Sequence, residues 1–191
     1  MKKAFLFCFC VLCFCSAFSQ DEEPENEKGF KKENIFIGGN FGLSFGDLTL
    51  INVSPQVGYR FSNFFAAGIG INGQYVSLKR RFNDGSPYSK TSQGVLGMNL
   101  FGRIYPISNL MFQVQPEANY IFGKQLFYGS PNQEYKMDAL IVPSLLLGAG
   151  AVIPSGRGSF IASVFYDVLQ DPNAPYGTRP FLNFGYNISL R

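Results

Sequence analysis

The chain has 191 residues, 16 basic and 13 acidic side chains and a formal net charge of +3. That balance leaves no electrostatic footprint for nucleic acid. The sequence has no histidine, which removes the commonest general base, the commonest metal ligand and the usual partner of a catalytic serine.

Lys2 and Lys3 lead into an uncharged apolar run, residues 4–15, followed by Ala17-Phe18-Ser19. A short positive start, an apolar core and small residues at the exit form a secretory signal peptide, and the run is too short to span a bilayer as a helix. Residues 1–19 are the expected signal, with cleavage after Ser19. Leu12 precedes Cys13 and Phe14 precedes Cys15, where a lipid-attachment signal wants a small residue. All four cysteines fall inside this segment. The mature chain therefore has no disulfide and no thiolate metal site. Without Lys2 and Lys3 the net charge falls to about +1. About 170 residues remain, the size of one domain.

Residues 20–34, QDEEPENEKGFKKEN, are almost wholly polar and read as a flexible periplasmic tail. From Ile35 onward the apolar period is two, the strand period. Eight strands are expected, near residues 35–45, 51–61, 64–78, 93–105, 110–123, 137–153, 159–169 and 180–190. In the first, Ile35, Ile37, Phe41 and Leu43 oppose Gly38, Asn40 and Gly42. In the second, Ile51, Val53, Val57 and Tyr59 oppose Asn52, Ser54, Gln56 and Arg60. The third sets Ile69, Ile71 and Tyr75 against Gly68, Gly70, Asn72 and Gln74. The fourth sets Leu96, Met98 and Leu100 against Gly97, Asn99 and Arg103, and the fifth Phe112, Val114 and Tyr120 against Gln113, Gln115 and Glu117. The sixth is apolar on both faces and leaves its inner side open. The seventh sets Val164 and Tyr166 against Ser163 and Asp167, and the eighth Leu182, Phe184 and Ile188 against Asn183 and Asn187.

Within the third strand, residues 68–73 (GIGING) match the G-x-G-x-x-G spacing of a dinucleotide loop. No helix opens there and no acid stands about 20 residues on, both of which that loop needs. The period of two points Gly68 and Gly70 away from the isoleucines, where they make room for neighbouring side chains.

Short turns at 62–63, 106–109 and 154–158 alternate with longer polar connections at 79–92, 124–136 and 170–179; the first of that second set, 46–50, is short. Short turns at one end and long loops at the other suit an outer-membrane barrel with periplasmic termini. A soluble barrel would have the same alternation with its faces reversed. The apolar faces carry no mid-strand charge, and the opposite faces are glycine, serine, asparagine and glutamine. Aromatic residues border the turns (Tyr59, Phe61, Phe64, Phe65, Tyr105, Phe112, Phe160) and the loops (Phe45, Tyr75, Tyr120, Phe122, Tyr166) as two girdles. These features favour an eight-stranded antiparallel up-and-down transmembrane β-barrel over residues 35–191.

The inward charges are Arg60, Arg103, Glu117 and Asp167. In a narrow low-dielectric interior they are expected to pair with one another as a structural polar plug. An eight-stranded barrel is just wide enough to be filled by side chains. A selectivity ring or a Glu117/Asp167 acid–base pair is the sharper alternative, but nearby arginines would keep both carboxylates ionised. Lys79, Arg80, Arg81 and Lys90 are expected in an external loop beside lipopolysaccharide phosphates.

The strand–turn–strand rhythm, and the C-terminal YDVLQDPNAPYGTRPFLNFGYNISLR above all, resembles the small outer-membrane β-barrel proteins of Bacteroidota, relatives in architecture of the OmpA and OmpX barrels. The resemblance spans roughly residues 33–191. It implies a meander inserted by the outer-membrane assembly machinery, which reads the last strand, with Phe184 and Tyr186 in place of a terminal aromatic. It brings no common active site and no cofactor. The expected function is a non-enzymatic, monomeric outer-membrane protein, structural or acting through its loops on lipid and lipopolysaccharide. The alternatives are a minor passive channel and a soluble periplasmic ligand-binding barrel.

Overall fold

The computed structural model describes residues 31–176 and 179–190. The expected signal peptide and residues 20–30 of the expected tail lie outside the described residues. Eight strands follow in order: β1 (Ile35–Ser44), β2 (Leu48–Arg60), β3 (Phe65–Arg81), β4 (Pro87–Ile107), β5 (Leu110–Phe127), β6 (Gln133–Ser155), β7 (Gly158–Asp167) and β8 (Phe181–Ser189). Each pairs antiparallel with the next, and β1 pairs with β8, so the sheet closes into a barrel. Within the closed part every strand has a neighbour on both sides, while residues 133–144 of β6 and 79–81 of β3 rise above it and pair in the ladder on one side only.

All eight expected strands form. The register settles β6, the strand whose alternation was ambiguous: Val142, Ser144, Leu146 and Val152 face inward, while Ile141, Leu147 and Ile153 face out. Large apolar residues cover the outside, with Ile141 74% and Met98 71% exposed. Asn119 and Asp167 on the inside are at most 1% exposed. The faces are thus inverted relative to a water-soluble barrel.

Two of the expected long loops are mostly strand. β3 and β4 stay paired out to Arg81↔Pro87, and β5 and β6 out to Phe127↔Gln133. Only residues 82–86 and 128–132 are left as connections, while residues 168–180 remain a long loop. Polar and apolar residues mix on both faces of these extensions, with Tyr88, Leu126, Phe127 and Tyr135 among lysines, serines and glutamines, which erases the period of two. The ladder needs only backbone donors and acceptors, so it continues regardless.

The opposite end holds the short turns and both ends of the barrel chain. A single 3-10 turn, Lys32–Asn34, precedes β1, and the Lys31 backbone N–H donates to Tyr59 Oη at 3.2 Å. The Leu190 N–H donates to the Ile35 carbonyl at 2.9 Å. One expected girdle aromatic is displaced: Tyr105 is 7% exposed and faces the interior, because its parity on β4 is that of Phe101 and Arg103.

Candidate functional site

The interior is layered along the barrel axis. At the short-turn end, Phe36, Ala66, Phe101, Tyr105, Met111, Val152 and Ile161 form an apolar floor. At the other end, Val95, Ile121 and Val142 form a smaller apolar layer, and Ala174 of the 168–180 loop packs against it. Charged and amide side chains fill the middle. Glycines set where bulk can enter. A Cβ on Gly68 would lie 2.5 Å from the Phe101 ring, and one on Gly70 would lie 2.8 Å from Asn99 Oδ1. The inward glycines of the GIGING stretch thus make room for a floor aromatic and a mid-lumen amide.

Arg103 centres the middle layer. Its Nε donates to Gln113 Oε1 at 2.7 Å and its Nη2 to Gln56 Oε1 at 2.9 Å. The Asn187 amide closes the cage, its oxygen oriented to accept from Arg103 Nη1 at 2.8 Å. Below, the guanidinium lies over the Phe101 ring at 4.5 Å and the Phe36 ring at 5.6 Å. Amide oxygens at the rim and ring faces beneath offset the desolvation of the cation.

Glu117 accepts four hydrogen bonds. Asn72 Nδ2 (2.8 Å) and Gln115 Nε2 (2.6 Å) reach one oxygen; Asn119 Nδ2 (3.2 Å) and Tyr176 Oη (2.6 Å) reach the other. Gln113 Nε2 donates to Gln115 Oε1. A continuous chain therefore runs from Arg103 through Gln113 and Gln115 to Glu117. Alternation on β5 builds it, since residues 113, 115, 117 and 119 share the inward face.

The expected direct pairing of inward charges is not made. Among the described residues the ion pairs are Arg81–Asp47 and Lys124–Glu134, both exposed. Arg103 and Glu117 communicate through two glutamines instead, because amides at every second position of β5 fill the gap between them. Asp167 Oδ1 accepts the backbone N–H groups of Leu145 and Leu169, each at 3.1 Å. It fastens the upper end of β7 to β6 instead of meeting an arginine. Arg60 is exposed at the short-turn mouth, its guanidinium 5.2 Å from the Tyr105 ring centre. It lies outside the network because β2 ends there.

Tyr176 was missed by sequence reasoning. It sits in a loop without periodicity, yet its hydroxyl reaches Glu117 and its ring stacks on Phe181 at 4.8 Å and 7°. The amides Gln56, Asn72, Gln113 and Asn187 were legible as inward residues but not as ligands of particular charges.

The four basic residues expected in a loop are in the β3–β4 hairpin and divide between its two faces. Lys79 and Lys90 are directly opposite one another and share the outward parity of Tyr75. Arg80 has the opposite parity. Arg81 is engaged by Asp47 Oδ1 at 3.0 Å and the Gly85 carbonyl at 3.1 Å.

No protein-family model matches the chain, and no curated protein sequence matches it either. Among solved structures the chain is similar to the crystal structure of Neisserial surface protein A, at 10% identity and a TM-score of 0.45. The match covers 82% of this chain and 97% of that one.

Proposed function

We infer that this is a non-enzymatic integral outer-membrane β-barrel protein with a side-chain-filled lumen, acting through the hairpins and loop at its long end. The carrying observation is the inversion of faces, with an apolar exterior around a hydrogen-bonded polar interior. On β3 and β5 the outward apolar belt spans ten residue steps, from Phe65 to Tyr75 and from Phe112 to Phe122. Ten steps of about 3.3 Å tilted by ~40° rise about 25 Å, the height of an outer-membrane belt. In water, a belt of this size would be an unprotected aggregation surface.

The filled lumen supports a structural reading over a channel. The Arg103 cage and the Tyr176–Glu117 contact occupy the path that a solute would take. Four donors, Tyr176 among them, converge on Glu117 and leave it no free face, which suits a structural role better than acid catalysis. Short turns and both ends of the barrel on one side favour periplasmic termini. The long end then faces outward, with lipid and lipopolysaccharide as neighbours. Assembly of a monomer by the outer-membrane insertion machinery follows from the same reading.

Fractionation tests it. The native chain should sediment with membranes, resist alkaline carbonate and dissolve only with detergent; recovery as a soluble species would favour the ligand-binding barrel. Planar-bilayer recording should show no steady open conductance, whereas a stable conducting state would favour the channel.

A further inference from the structure

Directly above the apolar belt, the outer faces of β3–β6 carry two like-charge pairs in register. Lys79 stands opposite Lys90, and Lys124 opposite Lys136. Residues directly opposite in an antiparallel ladder share a face, and like charges there repel. The two pairs are neighbours. Ser92 pairs with both Ser77 and Lys124, so one outward row reads Ser77, Ser92, Lys124, Lys136; Lys79 and Lys90 form the next row up. Among the described residues, the acid in an ion pair with any of these lysines is Glu134, 3.1 Å from Lys124. Four cations thus face one carboxylate. A bound anion would relieve this cross-strand repulsion.

Below the lysines the surface is recessed. Gly73 leaves the floor open beside Tyr75, the Phe122 ring lies over Gly94, and with Lys124 and Lys136 at the upper rim these residues line a groove of about 650 Å³. The groove is apolar beneath and cationic at the top. Its rim sits one alternation step beyond Tyr75 and Phe122, the last apolar residues of the belt on β3 and β5. That is the depth of lipid phosphates when the belt spans the hydrocarbon.

The geometry points to a binding site for one phosphate-bearing lipid, its headgroup held by Lys79, Lys90, Lys124 and Lys136 and an acyl chain lying in the apolar groove beneath them. Lysine ammonium groups bind phosphate oxygens by charge-assisted hydrogen bonds, and the phosphate relieves both like-charge pairs together. Arg80 and Arg81 do not contribute: one faces the other way and the other is held by Asp47. The site rests on the membrane reading given above.

The test uses the full mature chain in neutral detergent, with native mass spectrometry after addition of dioleoyl phosphatidic acid or dioleoylglycerol. One phosphatidic acid should be retained and the uncharged diacylglycerol should not. Replacing all four lysines with glutamine should cut retention at least tenfold, while Arg80→Gln leaves it unchanged. A second readout needs no retained lipid. Lys136→Gln should raise the thermal midpoint in neutral detergent, where the repulsion is unrelieved, and lower it in phosphatidate-containing vesicles. Equal retention of both lipids, indifference to the four substitutions, or displacement by equimolar inorganic phosphate would overturn the site. Failure of the chain to enter detergent micelles at all would instead bring down the membrane reading, and the site with it.

Discussion

Arg60 and Arg103 share an inward parity, yet their surroundings differ. Arg103 is 3% exposed and caged by Gln56, Gln113 and Asn187 over two aromatic rings. Its replacement by alanine removes charge-assisted bonds and strands amide oxygens in a dry interior. The expected loss is about 2–3 kcal/mol in the urea unfolding free energy of the vesicle-inserted protein. Arg60 is exposed at the mouth, and Arg60→Ala should change the same quantity by less than about 0.5 kcal/mol. Gly68 is constrained by room: an added Cβ would meet the Val57 carbonyl oxygen at 2.3 Å, which is backbone and cannot rotate away. Gly68→Phe should block assembly, read as loss of the protease-resistant barrel in membranes, with no effect on nucleotide binding. Parity alone places each residue on a face. It says nothing of depth along the axis, and depth is what separates the two arginines.

The strands of the belt were legible because every second residue must satisfy either the exterior or the filled interior. Where that demand ends, as beyond Leu78 and Lys124, the alternation fades although β3–β6 continue. The 168–180 loop was opaque for a different reason. Its inward docking depends on Tyr176 reaching Glu117 and on Ala174 meeting Val95, Ile121 and Val142, contacts that span tens of residues and follow no period. Those contacts predict local protection. Amide exchange of Asn173, Ala174 and Tyr176 should be slow in the native protein and accelerate at residues 173 and 174 in Tyr176→Ala, while β4 and β5 keep their protection. Equal exchange in both proteins would mean that the loop is not anchored through the tyrosine.

At the scale of the whole molecule, eight strands close a sheet whose apolar side faces out and whose polar side is consumed internally. That arrangement joins the fold to the proposed function: the apolar exterior suits hydrocarbon, and side chains crossing the interior support the proposal of a closed lumen. The interior also explains how a chain with few charges holds a buried cation and a buried carboxylate without direct contact, through glutamines spaced two apart on one strand. The central claim is a closed barrel that is stable in a membrane. Its most direct test is the electrophoretic mobility of the detergent-extracted mature chain, with and without boiling. A closed barrel resists dodecyl sulfate, so the unheated protein should run as a compact fast band and shift to its full-length position after boiling. Identical mobility before and after heating, for protein recovered from membranes, would contradict the account.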